Sequence, residues 1–326
     1  MHTPPPSAPA NSRPTRAGRV AIVGRPNVGK STMLNALLGE PIAITSLHPQ
    51  TTRESVRGVL TVEDTQYLFV DTPGVHEPRT RLGRWMNDAA REAAREADAV
   101  VLVVEVPRLE HAISALRPND DDLALAGDLP EGRLVLAINK VDRLKDKAKL
   151  LPLIAAFSRS RCFCATVPVS AKRAHGIDRL LSEVRALLPE QPFPFEPDTL
   201  SDQPARFFVA EFVREQILQQ TREEVPHGVA VVVERFDESG KMPHIEIAVH
   251  VSREAHKKIL VGAGGRMMKS IGTAARARVE QMLSKQVHLK LWVRVTPGWM
   301  DDPERLSELG FLRREHAPNR KPKTDS

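Results

Sequence analysis

Aromatic residues and cysteines are scarce in this chain of 326 residues. Aromatic residues make up 4% of it, and Cys162 and Cys164 are its only cysteines. Because the two cysteines occupy alternate positions of a short apolar stretch, we expect them on the buried face of a strand rather than in a disulfide or a metal site. Long hydrophobic runs are also missing, and no stretch approaches the ~18 apolar residues of a membrane-spanning helix. These absences argue against a disulfide-stabilised scaffold and against a membrane-embedded protein.

The remaining composition is that of an ordinary soluble globular protein. Hydrophobic residues make up 41% and charged residues 27%, and the length suffices for two domains of ~100–200 residues each. The net charge of +6 suits a polyanionic partner. Residues 1–18 are rich in proline and contain no acid, so we expect a disordered tail and a cytoplasmic protein. An organellar transit peptide is the alternative for this segment.

From residue 20 onward, short apolar runs alternate with longer amphipathic stretches. This alternation predicts an α/β fold with a doubly wound, mostly parallel sheet and helices on both faces, over residues 19–188. The expected strands are 20–23, 56–60, 67–70, 99–105, 134–138 and 162–167, and the expected helices are 30–38, 84–97, 120–126, 145–157 and 177–187. Five prolines at 189–204 then predict an irregular linker.

Residues 205–300 follow a different order. The pattern predicts a helix at 205–220, strands at 229–235 and 244–251, and a helix from Arg253. A glycine-rich turn at 262–265, a helix at 267–283 and a strand at 287–295 complete the domain. This α-β-β-α-α-β order indicates an α+β domain that is not a nucleotide-binding unit. Residues 301–326 are expected to form a C-terminal tail.

A phosphate-binding motif follows the first strand. The sequence from residue 24 reads GRPNVGKST, which satisfies G-x-x-x-x-G-K-[ST], and a helix is expected to begin inside it. Backbone amides would converge on phosphate oxygens, Lys30 would reach the β and γ phosphates, and Ser31 would coordinate Mg²⁺. The residues expected to contact the nucleotide here are Gly24, Arg25, Pro26, Asn27, Val28, Gly29, Lys30, Ser31 and Thr32.

A second motif, D-x-x-G, follows the third strand. Its carboxylate would lie near the Mg²⁺ ion, and its last amide would sense the γ-phosphate. The four residues are Asp71, Thr72, Pro73 and Gly74.

The fifth and sixth strands end in motifs that predict the base. The carboxylate of Asp142 can accept hydrogen bonds from guanine N1–H and from the 2-amino group, which adenine lacks. The chain is therefore expected to select GTP over ATP. The residues assigned to this pocket are Asn139, Lys140, Val141 and Asp142, with Ser170, Ala171 and Lys172 completing it through backbone contacts.

In this order, the four motifs resemble those of the translation-factor-like GTPases over residues 18–188. Residues 50–53, QTTR, resemble the switch I motif of the group that contains the Era family. The resemblance implies Mg²⁺-dependent GTP hydrolysis, with the metal held by Ser31, Thr52 and Asp71. Thr51 is the alternative to Thr52. Lys30, Thr52, Gly74 and Asn27 are the residues implied in catalysis.

Val75 stands where many GTPases carry the glutamine that orients the attacking water. The resemblance to hydrophobic-substituted GTPases implies that Asn27 holds a K⁺ ion beside the phosphates. Packing of the P-loop backbone is the alternative role for Asn27. Without the glutamine or an evident arginine finger, intrinsic hydrolysis is expected to be slow.

The second domain carries VGAGG at residues 261–265, inside a stretch (255–279) with six cations and no acid. Together with the element order, this resembles the G-x-x-G loop of a type II KH domain, which clamps a single-stranded nucleic acid. An ordinary helix end and turn is the alternative. The implied RNA contacts are Lys258, Gly262, Ala263, Gly264, Gly265, Arg266 and Lys269.

A GTPase domain followed by a KH domain, with HLKLWVRVTPGW at 288–299, resembles the Era family of ribosome-assembly GTPases. The resemblance implies binding of small-subunit ribosomal RNA near its 3′ end and a role in 30S subunit maturation. Peripheral contact with the cytoplasmic membrane and the absence of a stable oligomer are further expectations. The segment 107–119 departs from the family, and a solvated insert is the simplest interpretation.

Two other functions fit the sequence less well. A GTPase that modifies tRNA would carry a dedicated substrate domain and a C-terminal reactive cysteine, and neither is evident in the sequence. A passive RNA-binding protein with an inactive nucleotide site would not be expected to retain Lys30, Ser31, Asp71 and Asp142.

Overall fold

The computed structural model describes residues 14–45, 51–107, 117–221, 225 and 228–311. The first domain is built on a six-stranded sheet in the order β2-β3-β1-β4-β5-β6. The strands are β1 (Arg16–Val23), β2 (Val56–Val62), β3 (Thr65–Asp71), β4 (Ala99–Glu105), β5 (Leu134–Asn139) and β6 (Ala165–Pro168). Neighbours pair in parallel, except that β2 runs antiparallel to β3.

Five helices flank this sheet. They are α1 (Lys30–Leu38), α2 (Arg81–Glu96), α3 (Asp120–Asp128), α4 (Leu150–Ser160) and α5 (Ile177–Arg185). One core contains residues of α1 and α5, and the other contains residues of α2, α3 and α4. The predicted doubly wound α/β fold is confirmed.

Strand β4 shows why the sequence adopts this architecture. Its first six residues, AVVLVV, are all buried. Val101 and Val103 belong to one core, whereas Leu102 and Val104 belong to the other. A continuous apolar run is what a parallel strand covered on both faces requires. The carboxyl ends of the parallel strands therefore meet at one edge, where the loops can form a site.

The second domain packs three helices against a three-stranded sheet. Its elements are α6 (Ala205–Gln220), β7 (Val229–Asp237), β8 (His244–Val251), α7 (Glu254–Val261), α8 (Arg266–Leu283) and β9 (His288–Val295). Strand β8 is central, antiparallel to β7 and parallel to β9. The order α-β-β-α-α-β is the one predicted from the sequence.

The N-terminal end of the described chain is more ordered than expected. Strand β1 begins at Arg16, inside the expected tail, because Arg16 pairs with Thr65 and its guanidinium bonds Glu190 at 2.8 Å. In the expected C-terminal tail, a short helix α9 (Pro303–Glu308) forms, and Phe311 is buried. Residues 1–13 and 312–326, and residues 108–116 of the segment without an assigned role, lie outside the described residues.

The expectation for the cysteines is wrong. Cys162 and Cys164 are both exposed, because β6 begins only at Ala165 and the residues before it are irregular. Phe163, between them, packs edge-to-face on Phe157 of α4, with ring centroids 6.2 Å apart. The apolar contact is thus made by the residue between the two cysteines.

The proline-rich segment 189–204 lies along the outer edge of β2. The Val59 amide donates to the carbonyl of Leu200 at 2.8 Å. The Arg57 amide donates to Oε1 of Gln203 at 2.9 Å, and the Ser201 hydroxyl donates to the Arg57 carbonyl at 2.5 Å. The segment is irregular, as predicted, and it is attached to the first domain.

A hydrophobic cluster joins the two domains. We call it the junction cluster, and its buried members are Leu82, Met86, Ala230, Trp299, Leu306, Leu309 and Phe311. Leu82 and Met86 belong to α2, and Ala230 belongs to β7. The Leu82 amide also donates to the carbonyl of Met300 at 2.9 Å. Residues 299–311, the last part of the described chain, therefore pack on the first domain.

Candidate functional site

The P-loop connects β1 to α1, as the motif requires. The Lys30 side chain is buried, and its ammonium donates to the carbonyls of Gly24 and Arg25, each at 3.0 Å. Burial lowers the pKa of Lys30 to about 8, and the nearby Asp71 opposes the shift. A phosphate anion at the N-terminus of α1 would favour the charged ammonium.

Three oxygen-bearing side chains expected to hold Mg²⁺ converge at the start of α1. Ser31 Oγ lies 2.7 Å from Asp71 Oδ2 and 2.9 Å from Thr52 Oγ1, and Thr52 Oγ1 lies 3.0 Å from Asp71 Oδ2. Asp71 is fully buried, and among the described residues its Oδ1 atom has no hydrogen-bond partner. Burial raises the pKa of Asp71, opposed by Lys30, Ser31 and Thr52. Hydroxyl and carboxylate oxygens with an unsatisfied buried acceptor fit a hard divalent cation.

The D-x-x-G motif lies directly against the P-loop. Thr72 is buried, and its hydroxyl donates to the carbonyl of Ile22 at 2.9 Å. A Cβ atom at Gly74 would lie 2.8 Å from the Cα of Pro26, so only glycine allows this approach. The amide after the motif, that of Val75, donates to the Gly24 carbonyl at 3.2 Å.

The Val75 side chain offers no polar group to a water molecule. Its side chain is partly buried and packs against the second core of the first domain. The next residue, His76, is fixed by Asn87 of α2, which donates to the His76 carbonyl at 2.7 Å and accepts from the His76 amide at 3.3 Å. Asn87 was not found from the sequence because an amide within a helix carries no motif.

The motif at 139–142 forms the opposite wall. Asn139 is buried, and its side chain donates to the Val28 carbonyl at 2.8 Å and accepts from the Ala171 amide at 3.0 Å. It therefore holds the P-loop and the residue 170–172 loop together. The Ser170 hydroxyl donates to Asp142 Oδ1 at 2.6 Å, and this bond lowers the pKa of Asp142. Asp142 is thus kept as a carboxylate that can accept hydrogen bonds from a base.

Lys140 links the P-loop to the end of β4. Its ammonium lies 2.5 Å from the Asn27 carbonyl and 2.5 Å from Glu105 Oε2. Glu105, at the end of β4, also accepts from Arg143 at 3.1 Å. Sequence reasoning missed Glu105 and Arg143, although the carboxyl end of a central parallel strand is where such a residue is expected.

A cavity of about 390 Å³ lies between these loops, large enough for a nucleotide-sized ligand. The predicted residues that line it are Pro26, Asn27, Gly29, Lys30, Ser31, Thr32, Thr52, Gly74, Asn139, Lys140, Asp142, Ala171 and Lys172. Predicted residues that stand outside the lining are Gly24, Arg25, Val28, Asp71, Thr72, Pro73, Val141 and Ser170. Thr51, Ile44, Thr45 and Arg143 also line it. Thr51 and Thr52 are both near the site, and it is Thr52 that bonds Ser31 and Asp71.

The glycine loop of the second domain connects α7 to α8. Gly262, Gly264 and Gly265 have φ values of 70°, 59° and 78°, a region that favours glycine. Lys258, Arg266 and Lys269 are exposed around the loop, as is Ala263. Arg278 of the same basic stretch serves elsewhere, since it bonds Glu215 at 2.5 Å and the Pro41 carbonyl of the first domain at 3.1 Å.

The fold and the site define a P-loop GTPase joined to a KH domain. A family model described as 50S ribosome-binding GTPase matches residues 19–140, and a KH domain model matches residues 224–300. GTPase Era of Xanthomonas campestris pv. campestris (strain B100) is 42% identical over 304 residues, which cover 93% of this chain and 99% of that protein. GTPase Era of Coxiella burnetii (strain Dugway 5J108-111) is 41% identical over 300 residues, covering 92% and 99%. This chain belongs to the Era family of GTPases.

Solved structures show the same likeness. A single-residue variant of Aquifex aeolicus Era bound to GDP and AlF4⁻ is 35% identical, and the match covers 92% of this chain and 100% of that chain with a TM-score of 0.83. A structure of Era in complex with MgGDPNP and nucleotides 1506–1542 of 16S ribosomal RNA covers 92% of this chain and 100% of its own, with a TM-score of 0.84 and 35% identity. Both domains are included in each match.

Proposed function

We propose that this protein is a GTP-hydrolysing switch that binds small-subunit ribosomal RNA near its 3′ end and acts in 30S subunit assembly. The observation that carries the proposal is that one chain combines the guanine-nucleotide cavity with the exposed basic glycine loop. The Era complex with MgGDPNP and a 16S ribosomal RNA fragment spans both of these domains. The nucleotide and the RNA would thus bind different domains of one molecule.

The nucleotide contacts follow from the side chains at the cavity. Asp142 accepts from the guanine base, and Lys30 with the P-loop amides binds the phosphates. Ser31, Thr52 and Asp71 are the residues that would hold Mg²⁺, whose bound charge would stabilise negative charge on the phosphates. The Gly74 amide donates toward the γ-phosphate, so loss of that phosphate would release both Thr52 and Gly74.

Hydrolysis consists of attack by a water on the γ-phosphorus and departure of GDP. Val75 provides no hydrogen bond to orient that water, so intrinsic turnover is slow. We assign Asn27, at the cavity wall, to a K⁺ ion that would add positive charge beside the phosphates. Asn27 also has a φ of 63°, which asparagine tolerates better than most residues, and this supports its alternative role in P-loop packing.

RNA recognition would use the glycine loop as a backbone clamp. Without a side chain at Gly264, where the structure leaves open space, a sugar-phosphate backbone can approach the loop closely. Lys258, Arg266 and Lys269 would contact phosphates, while Ile259, 50% exposed, offers an apolar surface to a base.

The place of action in this proposal is the cytoplasm, with peripheral contact at the inner face of the membrane and no stable oligomer. Among the helices in the described ranges, none has the length and apolar character needed to span a bilayer. Any membrane contact would then be made by the basic surface, through anionic lipids.

The test measures GTP and ATP turnover with and without a single-stranded RNA that matches the 3′ end of small-subunit ribosomal RNA. Gly264→Asp should abolish the effect of RNA and preserve basal GTP turnover, because it adds bulk and negative charge to the loop. Gly132→Asp is the matched control, since Gly132 also has a positive φ and open space around it but lies in the first domain. If the affinity for RNA and the effect of RNA on GTP turnover are both unchanged by Gly264→Asp, the RNA site is misplaced. Equal turnover in Na⁺ and K⁺ would remove K⁺ from the proposal.

A further inference from the structure

The residue that follows Thr52 is held by the RNA-binding domain. Arg53 is 4% exposed, although it belongs to a loop of the GTPase domain. Its Nη1 atom donates to the carbonyl of Val229, the first residue of β7. Its guanidinium carbon lies 5.7 Å from the ring centroid of Trp299, which follows β9. Arg53 therefore crosses the boundary between the domains.

Trp299 is itself firmly fixed. It is fully buried, its indole N–H donates to the Gly228 carbonyl at 3.3 Å, and its ring stacks on Phe311 with centroids 5.6 Å apart. It belongs to the junction cluster, together with Leu82 of α2. A buried guanidinium stacked on such a ring, with a carbonyl acceptor, has few alternative positions.

Thr52 is fixed from the other side. Its hydroxyl bonds Ser31 and Asp71 within the expected Mg²⁺ site, at 2.9 and 3.0 Å. Consecutive residues are joined by a rigid peptide unit, and their Cα atoms are about 3.8 Å apart. The position of the Arg53 backbone therefore restricts where the Thr52 hydroxyl can lie.

We propose that Arg53 is a positioning residue for GTP hydrolysis: the RNA-binding domain, by holding Arg53 at Val229 and Trp299, places Thr52 at the Mg²⁺ site. This inference rests on the proposed GTPase function and adds that the second domain completes the first domain's site. The P-loop and residues 139–142 lie outside this contact, so binding of GDP does not require it. The contact of Arg53 with the second domain therefore affects GTP hydrolysis, which needs Thr52 at the Mg²⁺ site.

The first readout is kinetic. Arg53→Gln removes the charge and the planar fork, and a displacement of Thr52 by about 1 Å would lower kcat for GTP by about 10- to 100-fold. The dissociation constant for GDP should change by less than about twofold. Arg53→Lys, which can still donate to Val229 but stacks less well, should fall between wild type and Arg53→Gln.

The second readout does not depend on activity. In the GDP-bound protein, hydrogen exchange of the amides at residues 51–54 should be faster in Arg53→Gln and in Trp299→Phe than in wild type. Trp299→Phe loses the indole N–H and part of the ring, so it weakens the same contact while an aromatic side chain remains in the junction cluster. The two substitutions together should lower kcat no further than Arg53→Gln alone, because they break one contact.

Arg57→Gln is the matched control. Arg57 is four residues further along, and its partner, Asp202, lies in the proline-rich segment rather than in the second domain. Arg57→Gln should leave kcat and exchange at residues 51–54 unchanged. The inference is wrong if Arg53→Gln keeps wild-type kcat, or if Arg57→Gln lowers kcat as much as Arg53→Gln does. The proposed function is unaffected by either outcome as long as wild type hydrolyses GTP and binds RNA. If wild type itself does not hydrolyse GTP, the proposed function fails first.

Discussion

The ion pair between Arg25 and Asp122 offers a quantitative test of how the P-loop is held. Arg25 lies in the P-loop, and its Nε and Nη2 atoms donate to the two oxygens of Asp122 at 2.7 and 3.1 Å. Asp122 is on α3 and 2% exposed, whereas the Arg25 side chain is 25% exposed. Burial raises the pKa of Asp122, and the bond with Arg25 opposes this shift. The buried Asp122 side chain thus depends on Arg25 to remain in its charged form.

Asp122→Ala leaves the guanidinium without its bidentate partner. Breaking a buried pair by removing one partner typically costs about 3–5 kcal/mol. Because water can reach part of the Arg25 side chain, we expect a smaller loss of about 2–3 kcal/mol in the free energy of unfolding. Urea unfolding followed by circular dichroism should show a lower midpoint with an unchanged slope for the affected transition.

Asp121→Ala is the matched control, since Asp121 is the adjacent residue, is the same residue type and is exposed. It should cost no more than about 0.5 kcal/mol. Replacing both partners by apolar residues, Arg25→Met with Asp122→Leu, should recover much of the loss, because no buried charge then remains unpaired. Equal destabilisation by Asp122→Ala and Asp121→Ala would show that the Arg25–Asp122 ion pair does not stabilise the protein.

Three further predictions concern the cavity and the surface. Asp142→Ala removes the acceptor for guanine, so the preference for GTP over ATP in competition binding should fall by about 5- to 150-fold, and an unchanged preference would contradict the assignment. Gly74→Ala places a methyl group 2.8 Å from the Cα of Pro26, so turnover of GTP should fall while GDP affinity changes little, whereas equal loss of both would indicate general damage to the P-loop. Cys162 and Cys164 are exposed, so both should react with a thiol reagent in the native protein within about tenfold of the unfolded rate; protection of either would contradict the structure.

The nucleotide site was predictable because each motif is local. The P-loop, D-x-x-G and residues 139–142 each follow an apolar strand, and parallel strands bring their carboxyl ends to one edge. The expected helix at residues 30–38 coincides with α1, and the expected strand at 244–251 coincides with β8. Sequence periodicity and turn chemistry suffice for such elements.

Contacts between the domains could not be predicted in this way. Arg53 was expected only as the end of a switch motif, and Arg278 only as one of six cations, yet both contact the other domain. The junction cluster depends on residues more than 200 positions apart, such as Leu82 and Leu306. Local sequence patterns do not indicate which distant part of the chain a helix or strand will contact. The prediction for the cysteines was wrong because β6 starts at Ala165, one residue after Cys164, and the apolar stretch does not show where the strand begins.

The segment at 189–204 has a consequence for how copies of this protein meet. Strand β2 is the last strand of its sheet, and an exposed edge strand can recruit a strand from another molecule. Here the amides of Arg57 and Val59 and the carbonyl of Arg57 are already bonded to Gln203, Leu200 and Ser201. The chain therefore shields its own sheet edge with the piece that joins its domains. Since proline has no N–H, the same segment is also a poor template for a new strand.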